Sequence, residues 1–227
     1  MIDDFLLDPW GNPYHKYHKT DIIHCNSCSR IISENVTQGG YLLEDGRYIC
    51  SLCQINIVES PSQIKKSKNK VLETLKEIGI DIYNKDIQII LVNRNVLFKM
   101  APEFTSQNIK GLTKIIISKD TLSEELINHK IYILDKLPVL EFEAVLAHEY
   151  FHVWLQENNI ELDKNEIEGF CNLGSAHIYR VNGSKFAQIH LKAMDIDSDP
   201  NYGEGYREMK KKLEKFGWKI LIETLLN

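Results

Sequence analysis

Residues 142–155 read FEAVLAHEYFHVWL, and this is the most informative segment of the chain. It is apolar on nearly every side, a pattern typical of a helix buried in a protein core. His148, Glu149 and His152 nevertheless occupy its middle. Ionisable groups are costly to bury unless they are paired or bind a metal ion. The segment therefore predicts a core helix that carries a polar site.

The histidines and the glutamate of this segment have the spacing of a metal site. His148 and His152 are four residues apart, so they share one face of a helix, one turn above the other. Two neutral imidazoles in that arrangement bind a single zinc ion, and Glu149 lies beside the first as a candidate general base. This His-Glu-x-x-His pattern is typical of zinc peptidases. The alternative is a core helix whose histidines are hydrogen-bonded to backbone groups or carboxylates.

A catalytic zinc site needs a third protein ligand, and the next helix offers candidates. Residues 163–166, DKNE, predict a capping box that opens this helix and gives Glu166 a structural task. Glu168 follows half a turn later beside the apolar stripe, and a tight antiparallel return would bring it to the metal. We therefore expect Glu168 to be the third ligand, with Glu166 as the fallback.

Three other residues are weaker candidates for this site. His177 and His190 could replace the glutamate, but such histidines more often lie on a helix surface or in a cleft. Cys171 lies one turn after Glu168, and we expect it to be a small buried hydrophobe. A nucleophilic role for its thiol would require a separate base.

Four of the five cysteines form two Cys-x-x-Cys pairs, Cys25 with Cys28 and Cys50 with Cys53. In a reducing compartment, two such pairs about 20 residues apart predict a tetrahedral structural zinc site. Zinc would then close a loop that has too few apolar residues to fold alone. Disulfides or free thiols are the alternative, and disulfides would need an export signal.

The loop between the two cysteine pairs predicts a short hairpin. Asp45-Gly46 is a turn signal, and residues 41–43 and 47–49 flank it as strands. A hairpin that ends in a cysteine pair is the pattern of zinc ribbons and half-LIM modules. His15 and His18 upstream also have ligand-like spacing. A further zinc would need two more ligands there, so we interpret both as surface histidines.

The rest of the chain predicts an α+β fold. Ser60 and Gln63 form a capping box around Pro61, which opens a helix that ends at Gly79. Short runs rich in β-branched residues predict strands at 87–92, 114–118 and 131–134. From Pro138 onward the pattern is helical.

This pattern predicts two domains. The first is a small zinc-ribbon or half-LIM-like module over residues 1–58. A linker near residues 54–60 leads to a second domain over residues 59–227, with a small sheet followed by a helical C-terminal half.

The composition excludes several classes of protein. The 227 residues are 43% hydrophobic and 26% charged, which is typical of globular proteins and not of disordered or fibrous chains. The formal net charge of -5 argues against a broad nucleic-acid-binding surface, and we interpret the lysines between 65 and 70 as a solvated helix face. The N-terminus lacks the features of a signal peptide, and no apolar run is long enough for a membrane helix. We therefore expect a cytoplasmic protein without a membrane partner.

Four sequence features of the chain, taken in combination, are typical of one known family. They are the four cysteines with residues 44–47 (EDGR), residues 147–155 (AHEYFHVWL), residues 167–171 (IEGFC) and residues 199–207 (DPNYGEGYR). In this combination the chain resembles the ubiquitin-activated, LIM-linked zinc peptidases that limit organ size in plants, and their short bacterial relatives. The resemblance covers most of the chain from about Tyr14.

The resemblance implies a gluzincin-like metallopeptidase domain. It implies that His148, His152 and Glu168 hold a catalytic zinc ion and that Glu149 is the general base. The plant proteins also carry ubiquitin-interacting helices and a complete LIM domain. This chain has no room for those helices and matches only the second half of the LIM domain, so regulation by ubiquitin is not expected.

The segment around Tyr202 has two interpretations. Asp199-Pro200 followed by glycines is typical of a turn at the start of a helix. Alternatively the segment lines a cleft, and Tyr202 donates a hydrogen bond to a developing oxyanion.

Together these patterns predict a zinc-dependent peptidase with one catalytic and one structural zinc, acting on a peptide or protein substrate. One alternative is a non-catalytic, zinc-stabilised protein-interaction module. The other is a DNA-associated zinc protease, against which the acidic net charge and a glutamate as third ligand both count. Nucleic acid is therefore not an expected partner.

Overall fold

The computed structural model describes residues 4–18, 20–84, 86–102, 109–119 and 125–227, which form a mixed α+β structure. The strands are β1 (Phe5–Leu7), β2 (Pro13–His15), β3 (Gly40–Leu42), β4 (Tyr48–Cys50), β5 (Gln88–Val92), β6 (Gly111–Lys119) and β7 (Glu125–Leu134). The α-helices are α1 (Glu34–Thr37), α2 (Ser51–Gln54), α3 (Pro61–Glu77), α4 (Arg94–Met100), α5 (Val139–Glu157), α6 (Lys164–Asn182), α7 (Lys185–Ile196) and α8 (Gly205–Leu226). The predicted α+β class and the helical C-terminal half are confirmed.

Strands β5, β7 and β6 form a three-stranded sheet with β7 in the middle. β5 runs parallel to β7, whereas β6 runs antiparallel to it, with Gly111 opposite Ile133. The last two strands are longer than predicted, because the hairpin continues through polar positions such as Thr113 and Asn128 whose backbones still pair. Within the described sheet, β6 therefore occupies an edge.

Helix α5 is the centre of the hydrophobic core. Phe142, Tyr150 and Phe151 are completely buried, and the helix contacts α3, α6, β6 and β7. The buried carboxylate of Glu143 pairs with Lys70 of α3 at 2.6 Å. Three of the four lysines between residues 65 and 70 are exposed, as predicted for a solvated helix face, and one of them also neutralises an acid of the core helix.

Local capping signals identified the helix ends correctly. Ser60 accepts a hydrogen bond from the Gln63 N–H at 3.3 Å, and Gln63 Oε1 accepts one from the Ser60 N–H at 3.0 Å. Gly79, with φ of +93°, follows the last turn of α3 in the left-handed region that glycine adopts without strain. Asp163 caps α6 by accepting from the Glu166 N–H at 2.8 Å.

The N-terminal cysteines form the centre of a second, smaller hydrophobic cluster. β3 and β4 pair as the predicted hairpin beside it, each shifted by one residue from its predicted bounds. Arg47 is 2% exposed and joins this region to the sheet, because it pairs with Asp45 at 2.9 Å and donates to the Asp135 carbonyl at 2.8 Å. The division into domains at residues 58 and 59 stays a prediction.

Across the described ranges, no helix combines the length and the apolar character that crossing a membrane would require.

Candidate metal centres

The two histidines of α5 direct ring nitrogens toward each other and toward α6. His148 Nε2 lies 3.1 Å from His152 Nε2, and Glu168 Oε2 lies 3.3 Å from the first and 3.8 Å from the second. With metal–donor bonds of about 2.0–2.2 Å, two donors around a tetrahedral zinc are roughly 3.3–3.6 Å apart. The spacing of the three donor atoms therefore suits one zinc ion.

A second candidate for the third ligand lies at the same place. The Sγ atom of Cys171 and one ring nitrogen from each of His148 and His152 all lie within 4.8 Å of one another. Glu168 is 5% exposed and Cys171 is completely buried. The two residues are one turn apart on α6, so both are candidates for the third ligand at this place.

Burial and mutual contact shift the protonation of these groups. Burial alone would lower the pKa of His148, but the neighbouring carboxylates, above all the close contact with Glu168, raise it. Burial alone would raise the pKa of Glu168, but contact with His148 lowers it below the usual value. Burial lowers the pKa of His152 to about 4 and raises that of Cys171 well above a normal thiol. His152 is therefore neutral, as a metal ligand must be, whereas Cys171 holds its proton.

Glu149 lies beside the donor atoms and faces strand β6. The Thr113 hydroxyl donates to Glu149 Oε2 at 2.7 Å. A Cβ atom on Gly111 would lie 2.8 Å from Glu149 Cδ, so glycine leaves the space that the carboxylate occupies. Burial raises the pKa of Glu149 to about 7. A carboxyl group with a pKa near neutrality is suited to both accepting and returning a proton.

These side chains line one cleft of about 230 Å³. Its walls come from α5, α6, β6 and the segment between α7 and α8. The lining residues are Gly111, Leu112, Thr113, His148, Glu149, His152, Gln156, Glu168 and Tyr202. The candidate metal donors and the candidate base therefore face the same space.

A π-helical turn, Pro200–Glu204, brings Tyr202 to this cleft. Asp199 caps the turn by accepting from the N–H groups of Asn201 at 2.8 Å and Tyr202 at 2.9 Å. The Tyr202 ring lies nearly parallel to that of His148, with 6.4 Å between the centroids. The segment is thus a turn before a helix and also part of the cleft wall, while a catalytic role for Tyr202 stays a prediction.

The backbone at the start of α8 approaches that of α6 closely, and this contact explains a glycine on each side of it. A Cβ atom on Gly169 of α6 would lie 3.0 Å from the Cα of Gly205 and closer still to its carbonyl group. A Cβ on Gly205 would overlap Asn165 in the same way. Only glycine permits this contact, which fixes the turn against the first part of α6.

The four N-terminal cysteines form the other candidate metal centre. Their sulfur atoms all lie within 4.8 Å of one another and are buried, and none forms a disulfide. Cys28 Sγ and Cys50 Sγ are 3.7 Å apart. Two thiolates around a tetrahedral zinc with Zn–S bonds of 2.3 Å are separated by about 3.8 Å. The cluster therefore has the spacing of a four-cysteine zinc site.

The remaining predicted candidates lie in other surroundings. Glu166 pairs with Lys212 at 3.1 Å. His177 meets the ring of Trp218 edge-on, and His190 stacks on Tyr179. His15 packs against the ring of Phe5 in the N-terminal hairpin, whereas the side chain of His18 lies outside the described residues.

Thr113, Gly111 and Asn172 belong to the site although the sequence analysis did not identify them. Thr113 and Gly111 lie on β6, more than 30 residues before Glu149 in the chain. Thr113 donates a hydrogen bond to the Glu149 carboxylate, and Gly111 leaves room for it. Asn172 Oδ1 lies 3.1 Å from His148 Nδ1. For Asn172 a signal did exist, because it lies four residues after Glu168 and so shares its helix face.

The fold and the site define a mixed α+β protein with two candidate metal centres, one of four cysteines and one on the core helix. Its sequence is distantly similar to two proteins of Arabidopsis thaliana over most of the chain. In an alignment of 202 positions, gaps included, it is 24% identical to Protein DA1-related 2; this alignment covers 75% of this chain and 37% of that protein. In an alignment of 274 positions, gaps included, it is 20% identical to Protein DA1; this alignment covers 95% of this chain and 51% of that protein.

The resemblance noted from the motifs is thereby confirmed as a distant similarity. The chain spans about half of the length of Protein DA1 and less of Protein DA1-related 2. No protein-family model and no solved structure matched the chain.

Proposed function

We propose that the chain is a zinc-dependent peptidase of the gluzincin type, with a second, structural zinc at the four cysteines. One observation carries this proposal: His148, His152, Glu168 and Glu149 converge in a single cleft. Two neutral histidines and a carboxylate form the ligand set of such enzymes, and a separate carboxylate serves as base. The resemblance to the plant zinc peptidases supports the same activity.

We assign Glu168 rather than Cys171 as the third ligand. Its Oε2 is within 3.8 Å of both imidazoles and makes no well-formed hydrogen bond to the described residues. An orphaned, buried carboxylate oxygen is costly unless a cation is present. Glu168 also lines the cleft together with both histidines, whereas Cys171 is not among the residues that line it.

In the proposed hydrolysis each side chain of the cleft has a separate role. When bound, zinc would polarise the scissile carbonyl and stabilise the charge that develops on its oxygen. Glu149 takes a proton from the water that attacks the carbonyl carbon, and it returns that proton to the leaving amine as the C–N bond breaks. The hydrogen bond from Thr113 holds the Glu149 carboxylate in one orientation. Burial raises the pKa of Tyr202, so its hydroxyl keeps a proton to donate to the oxyanion.

An extended substrate has a place to bind beside this site. Strand β6 lies at the edge of the sheet, and its residues Gly111, Leu112 and Thr113 also line the cleft. A peptide that pairs with this edge would gain main-chain hydrogen bonds and pass in front of Glu149. The proposed substrate is therefore an unfolded peptide segment rather than a compact fold.

The proposal is tested with the purified, zinc-loaded chain and a pool of fluorescence-quenched, unstructured peptides. We expect about two zinc atoms per chain, cleavage of some peptides, loss of cleavage with 1,10-phenanthroline and recovery with added zinc. Two zinc atoms without metal-dependent cleavage of any peptide would instead favour the non-catalytic interaction module. Salt-sensitive binding of DNA would favour the DNA-associated protease.

The assignment of the third ligand makes a separate prediction. Glu168→Gln should lower the zinc content by about one atom per chain, because an amide oxygen brings no charge to the metal. Cys171→Ala, one turn away on the same helix, should keep both zinc atoms. Metal analysis after dialysis against a weak chelator measures both variants. Loss of zinc from the Cys171 variant alone would reverse the assignment.

A substitution at Gly111 tests the position of the Glu149 carboxylate in catalysis without a large expected effect on folding. In Gly111→Ala the new methyl group would overlap the carboxylate of Glu149, which would have to turn away from its hydrogen bond with Thr113. The protein should still fold and bind zinc normally, while a base displaced by about 1 Å costs roughly 100-fold in kcat. Kinetics and thermal unfolding of this variant give the test. Unchanged kcat would show that Glu149 does not need its observed position.

A further inference from the structure

We propose that Asn172 is a positioning residue that selects the tautomer of His148, and that the main-chain carbonyl of Tyr202 orients Asn172 for this task. The proposal rests on the proposed zinc site. It adds to that site a hydrogen-bonded chain from the Pro200–Glu204 turn to a metal-binding nitrogen.

The hydrogen-bonded chain begins at the main-chain carbonyl of Tyr202, a group that can only accept hydrogen bonds. Asn172 Nδ2 lies 3.0 Å from the carbonyl oxygen of Tyr202. A carbonyl oxygen only accepts hydrogen bonds, so the NH₂ end of the Asn172 amide must face it. A flipped amide would place two acceptors against each other.

The orientation of the amide then determines the state of His148. With its NH₂ toward Tyr202, Asn172 presents Oδ1 to His148 Nδ1 at 3.1 Å. An amide oxygen accepts, so His148 Nδ1 must carry a proton. In the neutral ring the lone pair is then on Nε2, the nitrogen that lies 3.3 Å from Glu168 Oε2 and 3.1 Å from His152 Nε2. The tautomer selected is the one that a metal ion at this place requires.

The Pro200–Glu204 turn, at one end of this hydrogen-bonded chain, is held in place by further contacts. The turn that carries the Tyr202 carbonyl is capped by Asp199 and lies against α6 through the contact of Gly169 with Gly205. Asn172 also lies on α6, one turn after Glu168. The turn, the amide of Asn172 and the proposed ligand Glu168 are therefore held by the same helix.

Two substitutions separate the hydrogen bonds of Asn172. Asn172→Leu removes both, whereas Asn172→Asp keeps an acceptor for His148 Nδ1 and loses only the donor to Tyr202. We expect Asn172→Leu to bind zinc at the histidine site roughly 10–100-fold more weakly, and Asn172→Asp to bind it at least as tightly as the unmodified chain. Competition with a chromophoric chelator measures the affinity, and the zinc of the four-cysteine site is an internal control.

A merely structural role for Asn172 would weaken zinc binding in both variants alike. That result, or an unchanged affinity in Asn172→Leu, would overturn the proposal. If Asn172→Leu does not fold, the ring nitrogens of ¹⁵N-histidine-labelled, zinc-loaded protein give an independent answer by NMR. A slowly exchanging Nδ1 proton on His148 shows that this nitrogen donates to Asn172 and supports the proposal, whereas an Nδ1 proton that exchanges freely with water, or a proton on Nε2, refutes it.

His148→Ala is measured in parallel to identify which proposal fails. If this variant keeps both zinc atoms, the proposed function and the role of Asn172 both fall. If it loses one zinc while Asn172→Leu keeps full affinity, only the role of Asn172 is refuted.

Discussion

Glu149→Gln is expected to remove nearly all metal-dependent peptide hydrolysis while the protein keeps both zinc atoms. Glutamine has the same shape and keeps an oxygen that accepts from Thr113, but it cannot take a proton from the attacking water. General acid–base catalysis by one side chain contributes about 10²–10⁴-fold, so kcat/KM should fall by that factor. Initial rates with the cleaved peptide and metal analysis of the same preparation measure the two effects.

A matched control for this variant lies on the same helix. Glu143→Gln makes the same chemical change at a buried carboxylate that pairs with Lys70 and does not line the cleft. It should alter stability but leave kcat/KM close to that of the unmodified chain. Hydrolysis by Glu149→Gln at the unmodified rate would show that another group is the base.

Cys50→Ser is expected to release one zinc atom and to unfold the N-terminal region around β3 and β4. Its sulfur lies 3.7 Å from that of Cys28, and its N–H donates to the sulfur of Cys25 at 3.3 Å. A structural zinc contributes about 10–16 kcal/mol to the folding of a small module. The cluster around the cysteines contains few other apolar side chains, so little remains to hold the region when the metal is lost.

Metal analysis and amide hydrogen exchange of residues 20–58 measure this outcome under reducing conditions. The hydrophobic core around α5 is a separate cluster, so its amides should remain protected. Cys171→Ala changes a buried cysteine of that core and is the matched control, with exchange in residues 20–58 unchanged. Two zinc atoms and normal protection in Cys50→Ser would exclude a structural zinc at the cysteines.

The two predictions concern features that depend on local spacing, and such features were predicted well. The turn of an α-helix places residues four apart on one face, so the relation of His148 to His152 followed from their numbers alone. The same holds for the two Cys-x-x-Cys pairs and for the capping of α3 by Ser60 and Gln63.

Several contacts between distant segments were not predicted. Thr113 and Glu149 are 36 residues apart, and Arg47 and Asp135 are 88 apart. The extra length of β6 and β7 also escaped prediction, because pairing of two backbones does not need β-branched side chains. The pairing of Lys70 with Glu143 was not predicted for a related reason, since the sequence does not show which buried acid a surface lysine reaches.

The sequence by itself determined the donors: two histidines one helical turn apart, four cysteines in two pairs, and acids on the helix that follows. It did so because helical period and chain chirality act over a few residues and need no knowledge of the rest of the molecule. Only the tertiary structure decided that Glu168 and Cys171 both lie close to the histidines. It alone also placed Glu149 against Gly111 and Thr113 and a backbone carbonyl opposite Asn172. Those contacts depend on how closely packed helices and an edge strand approach one another, and that distance is set by all the side chains between them.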